Sequence, residues 1–398
     1  MKNKFQLTRR VATLVWLLAL FPLRSTAQLT GKFTLNKDSY AVGEPLIFTL
    51  ELKNSGSESV YTFPKVPGQC SEAFVFFMQA PGMGCEVPWT FDCEEPSEIK
   101  PGENFTESWP LDFWFRVGKP GTYKTSISLD TRYATAHGGV QPLHVSSEVQ
   151  LNVVPGNPAD VERVLAAWEA QLNDPDFNKR HDALDVLATT APAYFHDEIF
   201  RLARDEDAFK VEHAVGGLER LNTPDARALL AEILTSPKLP HNEDGEFSRC
   251  DAIKALGLSG DTSYFTLLVP YLEHTNTCES EFAAFAIARL GRGAAVPPLR
   301  SLMASKQVTD RMHAVAALRD ATSPEAVDAL IDALRDQDPG VREKAADTLV
   351  QLTGHSVTKP NQPAPSALQL ENLWRAWWHK HASDTKLAEP AEELCRMS

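Results

Sequence analysis

The side chains that could do chemistry are thinly spread along this chain. Its 11 histidines are scattered, and His181, His213 and His313 fall in separate helical stretches, where they read as surface or internally satisfied side chains. His379 and His381 are two apart, so on a helix they point to different sides and make no metal pair. The chain contains no H-E-x-x-H, no phosphate-binding G-x-x-x-x-G-K-[ST] and no G-x-G-x-x-G. Gly257-Leu258-Ser259-Gly260-Asp261 approaches a nucleophile elbow, but it ends in Asp and follows a helical stretch rather than a strand, so it reads as a turn. Acid groups such as Asp205-Glu206-Asp207 and Asp336/Asp338 stand at turns, where carboxylates complement helix starts. No catalytic residue, cofactor or metal-ligand set is expected.

The six cysteines are Cys70, Cys85, Cys93, Cys250, Cys278 and Cys395, and no two have the C-x-x-C spacing of a zinc site. One bridge is expected among Cys70, Cys85 and Cys93, with the pairing open. Cys250 and Cys278 lie in neighbouring helical stretches and form a second candidate pair.

Of 398 residues, 43% are apolar and 23% charged, which is globular usage and excludes disorder for most of the chain. Net charge is −14; the first 27 residues hold five basic residues and no acid, so the remainder stands at −19. Such an excess of acid argues against general affinity for nucleic acid or anionic lipid. Basic residues 1–10, the apolar run Val11 to Leu23 and Ser25-Thr26-Ala27 form a secretory signal, with cleavage expected after Ala27. The run is short of the roughly 20 residues a membrane span needs. A secreted or periplasmic protein without stable membrane insertion is expected.

Residues 28–154 read as strands. Leu46, Phe48, Leu50 and Leu52 alternate with other residues, as do Tyr123, Thr125, Ile127 and Leu129, and Val149, Leu151 and Val153. A period of two means one buried face. Turn signals at Gly43-Glu44-Pro45, Asn54-Ser55-Gly56, Pro101-Gly102-Glu103 and Lys119-Pro120-Gly121 separate the runs, as in an antiparallel β-sandwich. The order Tyr40-x-x-Gly43-Glu44-Pro45, Leu52-Lys53-Asn54-Ser55-Gly56, Pro101-Gly102-Glu103 before Trp109, and Gly121-x-Tyr123 resembles bacterial immunoglobulin-like sandwiches, among them the proteinase-inhibitor-like family. These motifs are mostly turns and bear on fold more than activity.

A linker at 155–158 leads into a region of helical period, residues 159–354. Ala-x-x-x-Leu recurs six times, at Ala183/Leu187, Ala214/Leu218, Ala252/Leu256, Ala286/Leu290, Ala314/Leu318 and Ala345/Leu349. The alanines are 31, 38, 34, 28 and 31 residues apart, and further amphipathic stretches such as Ala226-Leu229-Leu230-Ile233-Leu234 lie between them. Two helices per unit, repeated, make an α-solenoid of about six units. Asp338-Pro339-x-Val341-Arg342-x-x-Ala345-x-x-x-Leu349 is similar to the HEAT-repeat consensus, in particular the bacterial HEAT-like repeats also found in phycobilisome lyases. Pro237 to Gly245 departs from it as an insertion. The resemblance implies that Arg180, Arg249, Arg311 and Arg342, each three residues before its alanine, pair with an acid in the adjacent turn and hold the stack together.

The resemblance also implies that the second helix of each unit lines a concave face. At about 100° per residue, the side opposite the packed alanine and leucine carries His181/Asp185, Glu212/Gly216, Cys250/Lys254, Ala284/Ala288, Met312/Ala316 and Glu343/Asp347. This stripe is expected to receive another protein or peptide segment on a shallow apolar saddle flanked by acids. A proline-rich link at 355–366 precedes a helix at 367–382, with Leu370, Leu373, Trp374, Trp377 and Trp378 on one stripe that caps the array, and a tail at 383–398. The functional expectation is a secreted, non-enzymatic interaction scaffold. The alternatives are a hydrolase inhibitor acting through the sandwich and, by fold-level analogy, a HEAT-like lyase.

Overall fold

A computed structural model describes residues 29–62, 72–80, 83–91, 97–113, 115–236, 243–273, 277–359, 363–390 and 395–397. The expected signal segment, Cys70 and Cys93 lie outside the described residues. The chain divides into two compact units at Pro158/Ala159, and its last residues return to the first unit.

The first unit is built mainly from antiparallel strand pairs. β1 (Leu29–Leu35), β3 (Ile47–Asn54) and β8 (Asn104–Pro110) form one sheet in the order β1-β3-β8. The other is ordered around a long hairpin of β10 (Gly121–Thr135) and β11 (Val140–Val154), paired from Gly121 with Val153 to Ala134 with Val140. Short β2 (Tyr40–Ala41) joins β11 in parallel; β4 (Val60–Thr62) and β5 (Glu72–Ala80) pair with β10, β6 (Met83–Phe91) with β5, and β7 (Glu98–Ile99) with β4. The alternation read from sequence is the burial pattern found. Phe48, Leu50 and Leu52 from one sheet and Ile127, Leu129, Leu151 and Val153 from the other are buried in one shared core. Gly31 is required where β1 crosses that core, because a Cβ there would come within 2.7 Å of both Leu52 and Val145.

The turn motifs act locally. Buried Asn54 donates through Nδ2 to the carbonyls of Glu58 (2.8 Å) and Ile99 (2.9 Å), while its Oδ1 accepts from the Gly56 amide. Glu44 accepts from the Ala41 amide and from Lys37, closing the turn at Gly43. Near the other end, β12 (Cys395–Met397) pairs in parallel with β9 (Phe115–Val117).

The second unit is helical. Outer helices α1 (Pro158–Glu169), α3 (His196–Leu202), α5 (Pro224–Thr235), α7 (Phe265–Leu268), α9 (Val296–Leu302) and α11 (Pro324–Ala333) alternate with inner helices. The inner series is α2 (Phe177–Thr189), α4 (Ala208–Leu221), α6 (Glu243–Leu258), α8 (Thr277–Gly291), α10 (Val308–Ala317) and α12 (Pro339–Thr353), each packing on the next. The expected insertion at Pro237 to Gly245 is shorter than the sequence suggested, since α6 already begins at Glu243. Starts are set by Thr223-Pro224, Ser323-Pro324 and Asp338-Pro339, each a capping oxygen followed by proline, whose absent N–H costs the first turn nothing. All six repeat alanines and their leucines are buried. No helix among the described residues is long and apolar enough to cross a membrane.

The repeat arginines divide into two uses. Arg180, Arg311 and Arg342 each donate to carbonyls six and five residues earlier, at Asp174/Pro175, Ser305/Lys306 and Asp336/Gln337, tying the entry loop to its own helix. Pairing with an acid is found for two. Arg311 makes a two-pronged pair with Asp336 (2.8 and 2.9 Å), and Arg249 pairs with Glu279 (2.9 Å). For Arg180 and Arg342 the expected acid partner gives way to loop carbonyls, which lie within reach of the side chain's own helix start.

The closing helix, α13 (Ala367–His381), starts with a capping box between Ser366 and Gln369 and packs on α11. Trp374 and Trp378 are buried as expected, but Leu373 is 46% exposed. Glu371, on the side of Trp374 and Trp378, is buried instead; it accepts from Arg375 (3.0 Å) and faces Arg335 (3.5 Å). The apolar stripe of the cap is therefore narrower than sequence spacing suggests.

Candidate functional site

Positions are counted from each repeat alanine. Three cross-helix contacts and one interaction between charges reveal one register. Cys278 of α8, at −8, is disulfide-bonded to Cys250 of α6, at −2. His213 of α4, at −1, lies 3.2 Å from Asp185 of α2, at +2. His313 of α10, at −1, lies 3.6 Å from Glu281 of α8, at −5. Asp251 of α6, at −1, feels Glu212 and Glu219 of α4, at −2 and +5. Each inner helix thus turns its −8/−1 side to its predecessor and its −5/−2/+2 side to its successor, as 3.6 residues per turn requires.

That register corrects the expected binding stripe. The −2/+2 positions are not an open surface but the side on which the next inner helix packs. Ala284 and Ala288 are fully buried for that reason, as are Cys250 and Asp185 nearly so, and none of the four can line an exposed saddle. His181, Glu212, Lys254, Met312 and Ala316 keep partial exposure. Glu343 and Asp347 are exposed, because α12 has no following inner helix.

Where α2 meets α4, the register brings together side chains that the sequence reading treated as unrelated. His181 Nδ1 is 3.5 Å from Asp185 Oδ2, one turn away on the same helix, and His213 Nε2 is 3.2 Å from Asp185 Oδ1. One ligand atom from each of the three lies within 4.8 Å of the others. Asp185 and His213 are each 11% exposed at the side chain and His181 is 41% exposed. Phe177 and Phe209 flank the group, with the His181 ring stacked on Phe209 at 5.5 Å. His213 Nδ1 stands 2.8 Å from the Phe209 carbonyl, so that nitrogen carries the proton and donates.

The electrostatics follow from burial among acids. Burial alone would lower the His213 pKa, but the Asp185 carboxylate, the Phe209 carbonyl and Glu212 together raise it. Asp182 is raised by burial, with Asp185 and Asp176 adding to the effect and His181 opposing it. Asp251 is pushed up to about 6 by burial and by Glu212 and Glu219, against the pull of Lys254 and His213.

Where α6 meets α8, the same helix sides hold different chemistry. The Cys250–Cys278 bridge joins the helices, with Cα atoms 5.9 Å apart. Beside it, Arg249 and Glu279 form an ion pair with side chains only 8% and 5% exposed. Gly257 is needed at the crossing, since a Cβ there would sit 2.6 Å from the Ala286 Cα. Of the candidate cysteine pairs, this one is bridged.

Sequence reading missed the grouping of His181, Asp185 and His213 because it followed the −2/+2 positions alone. The available signal was at −1, where His213, Asp251 and His313 place ionisable groups against the preceding helix.

Residues 266–350 and 309–370 match the family model for HEAT repeats, so this stretch of the helical unit is built of HEAT repeats. No curated protein matches the chain in sequence. Among solved structures, the chain is similar to the YibA protein of Escherichia coli, at 15% identity over 50% of this chain and 76% of that one, with a TM-score of 0.34. It is similar to the complex of CpcE and CpcF of the phycocyanin lyase from a Nostoc species, at 18% identity over 54% and 82%, with a TM-score of 0.33. Importin beta gives 13% identity over 53% and 32%, with a TM-score of 0.33.

Proposed function

We propose that this protein is a non-enzymatic scaffold of the extracytoplasmic space, an immunoglobulin-like β-sandwich followed by a HEAT-repeat solenoid that docks another protein. The observation that carries this reading is the open side of α12. Glu343 and Asp347 stand at the −2 and +2 positions that every earlier inner helix turns toward a successor, and Val350 beside them is 40% exposed. A partner helix with basic residues flanking an apolar strip fits that side as a further inner helix would, with Met312 and Ala316 one helix back at the edge of its reach. HEAT repeats are in general protein-binding arrays, which supports the same reading.

The address rests on the basic and apolar residues 1–27 and is supported by the disulfide, since such bonds persist in oxidising compartments. Amino-terminal sequencing of the exported protein should begin at Gln28.

The docking side is tested by capture from the extracytoplasmic fraction with the whole exported chain, beside Glu343→Lys/Asp347→Lys and Met312→Asp variants. The exposed double variant should lose a specific partner at least about tenfold, and Met312→Asp should weaken it less, with helical circular dichroism unchanged. The same proteins retained equally by all three chains would refute docking on this side.

A further inference from the structure

We propose that His181, Asp185 and His213 bind one divalent transition-metal ion of the zinc class across the seam between α2 and α4.

The geometry of the donors carries the argument. Zinc bonds to nitrogen and carboxylate oxygen are about 2.0–2.1 Å, which places two donors of a tetrahedron roughly 3.3 Å apart. The two contacts seen here, 3.5 Å for His181 Nδ1 with Asp185 Oδ2 and 3.2 Å for His213 Nε2 with Asp185 Oδ1, are of that length; because they run to different oxygens, one oxygen serves both rings after a small turn of the carboxylate. One ligand atom from each residue lies within 4.8 Å of the other two.

The second argument is the state of His213. Its Nδ1 proton is held by the Phe209 carbonyl, so in the neutral ring the Nε2 lone pair points at Asp185. A ligating histidine is characteristically oriented in this way, with its other nitrogen donating to a backbone carbonyl. Nothing comparable holds the equivalent histidine three inner helices on. The Nδ1 of His313 has no hydrogen-bond partner among the described residues, and a single acid, Glu281, faces its Nε2.

The surroundings complete the site. His181 and Asp185 present their donors from one helix face, one turn apart, while the third comes from a neighbouring helix that packs at a fixed register. The stacked Phe209 ring restrains His181. The protein side is closed by nearly buried Asp185 and His213, and the partly exposed His181 side leaves a coordination position for water. Two imidazoles and one carboxylate suit zinc and its transition-metal neighbours, whereas magnesium and calcium take oxygen donors.

The test uses the whole exported chain with its free thiols alkylated, so that cysteine does not compete. Zinc is titrated calorimetrically, and cobalt(II) absorption reports the ligand field. One ion per chain is expected, with millimolar magnesium failing to displace it. His181→Ala, whose side chain is partly exposed, and the isosteric Asp185→Asn should each weaken zinc binding by at least about tenfold. His379→Ala, a histidine outside the site, should leave it unchanged. Zinc should also raise the thermal midpoint of the parent chain but not of His181→Ala. Absence of stoichiometric binding, or equal affinity in the parent, His181→Ala and Asp185→Asn chains, would overturn the proposal and leave a proton-bridged His–Asp–His network.

Discussion

The seams between α2 and α4 and between α6 and α8 bring together the same sides of successive inner helices, yet they do opposite things. At α6/α8 the −2 and −8 positions form a covalent bridge, the −3 arginine is buried against Glu279, and Gly257 lets the backbones nearly touch. At α2/α4 the same sides hold His181, Asp185 and His213, at −2, +2 and −1, between partly open aromatic rings. A repeat register fixes which positions meet. The residue types placed there decide whether the meeting becomes a staple or a cluster of donors.

The largest expected effect breaks the staple. Arg249→Met leaves Glu279 charged, buried and without its guanidinium, and should cost about 3–5 kcal/mol. Adding Glu279→Leu should recover most of that loss, because two apolar side chains then fill the space. Equilibrium denaturation of the single and double variants measures both. A comparably large loss from His181→Ala without metal would erase the contrast between the seams.

Next is the bridge. It closes a separation of 28 residues, for which chain entropy gives about 3.5 kcal/mol. Replacing both cysteines by alanine should lower the thermal midpoint of the helical unit by roughly 7–14 °C. Calorimetry with and without reductant should show the parent falling to the level of the variant.

Asp251 sharpens the comparison from between the seams, and its effect should be the smallest of the three. Its carboxyl has a folded pKa of about 6, above the ordinary carboxylate value, because of burial beside Glu212 and Glu219 with Lys254 and His213 opposing. As pH rises, the unfolded chain releases this proton first. The parent therefore loses stability between about pH 4 and 6, and the loss is complete above that window. Asp251→Asn does not titrate. Its advantage should be small at pH 4 and reach about 2–3 kcal/mol at pH 7. Urea unfolding across this range, with chelator present, would show it; a constant difference at every pH would contradict the assignment.

Much of the fold was legible because periodicity is local. Alternation at Phe48, Leu50 and Leu52 and the recurring Ala-x-x-x-Leu depend only on backbone repeat, and the buried faces follow from them. The asparagine turn at Asn54 was equally readable, since its bonds to the Glu58 carbonyl and the Gly56 amide close within a few residues, whereas its bond to the Ile99 carbonyl spans 45 residues. The arginines were half legible. Their position was plain, but Arg180 and Arg342 reach carbonyls that sequence spacing does not advertise.

By itself, the sequence determined two units of different period, an acidic chain and a ladder of six small-residue contacts. The tertiary structure decided which side of each inner helix remains accessible. Ala284 and Ala288 vanish beneath the next helix, while Glu343 and Asp347, at the same repeat positions, stay in solvent. It also decided that His213 stands beside Asp185, 28 residues earlier in the chain. The reason is physical: a helix repeat sets the direction of each side chain about its own axis, but only the packing of one helix on another sets what that side chain meets.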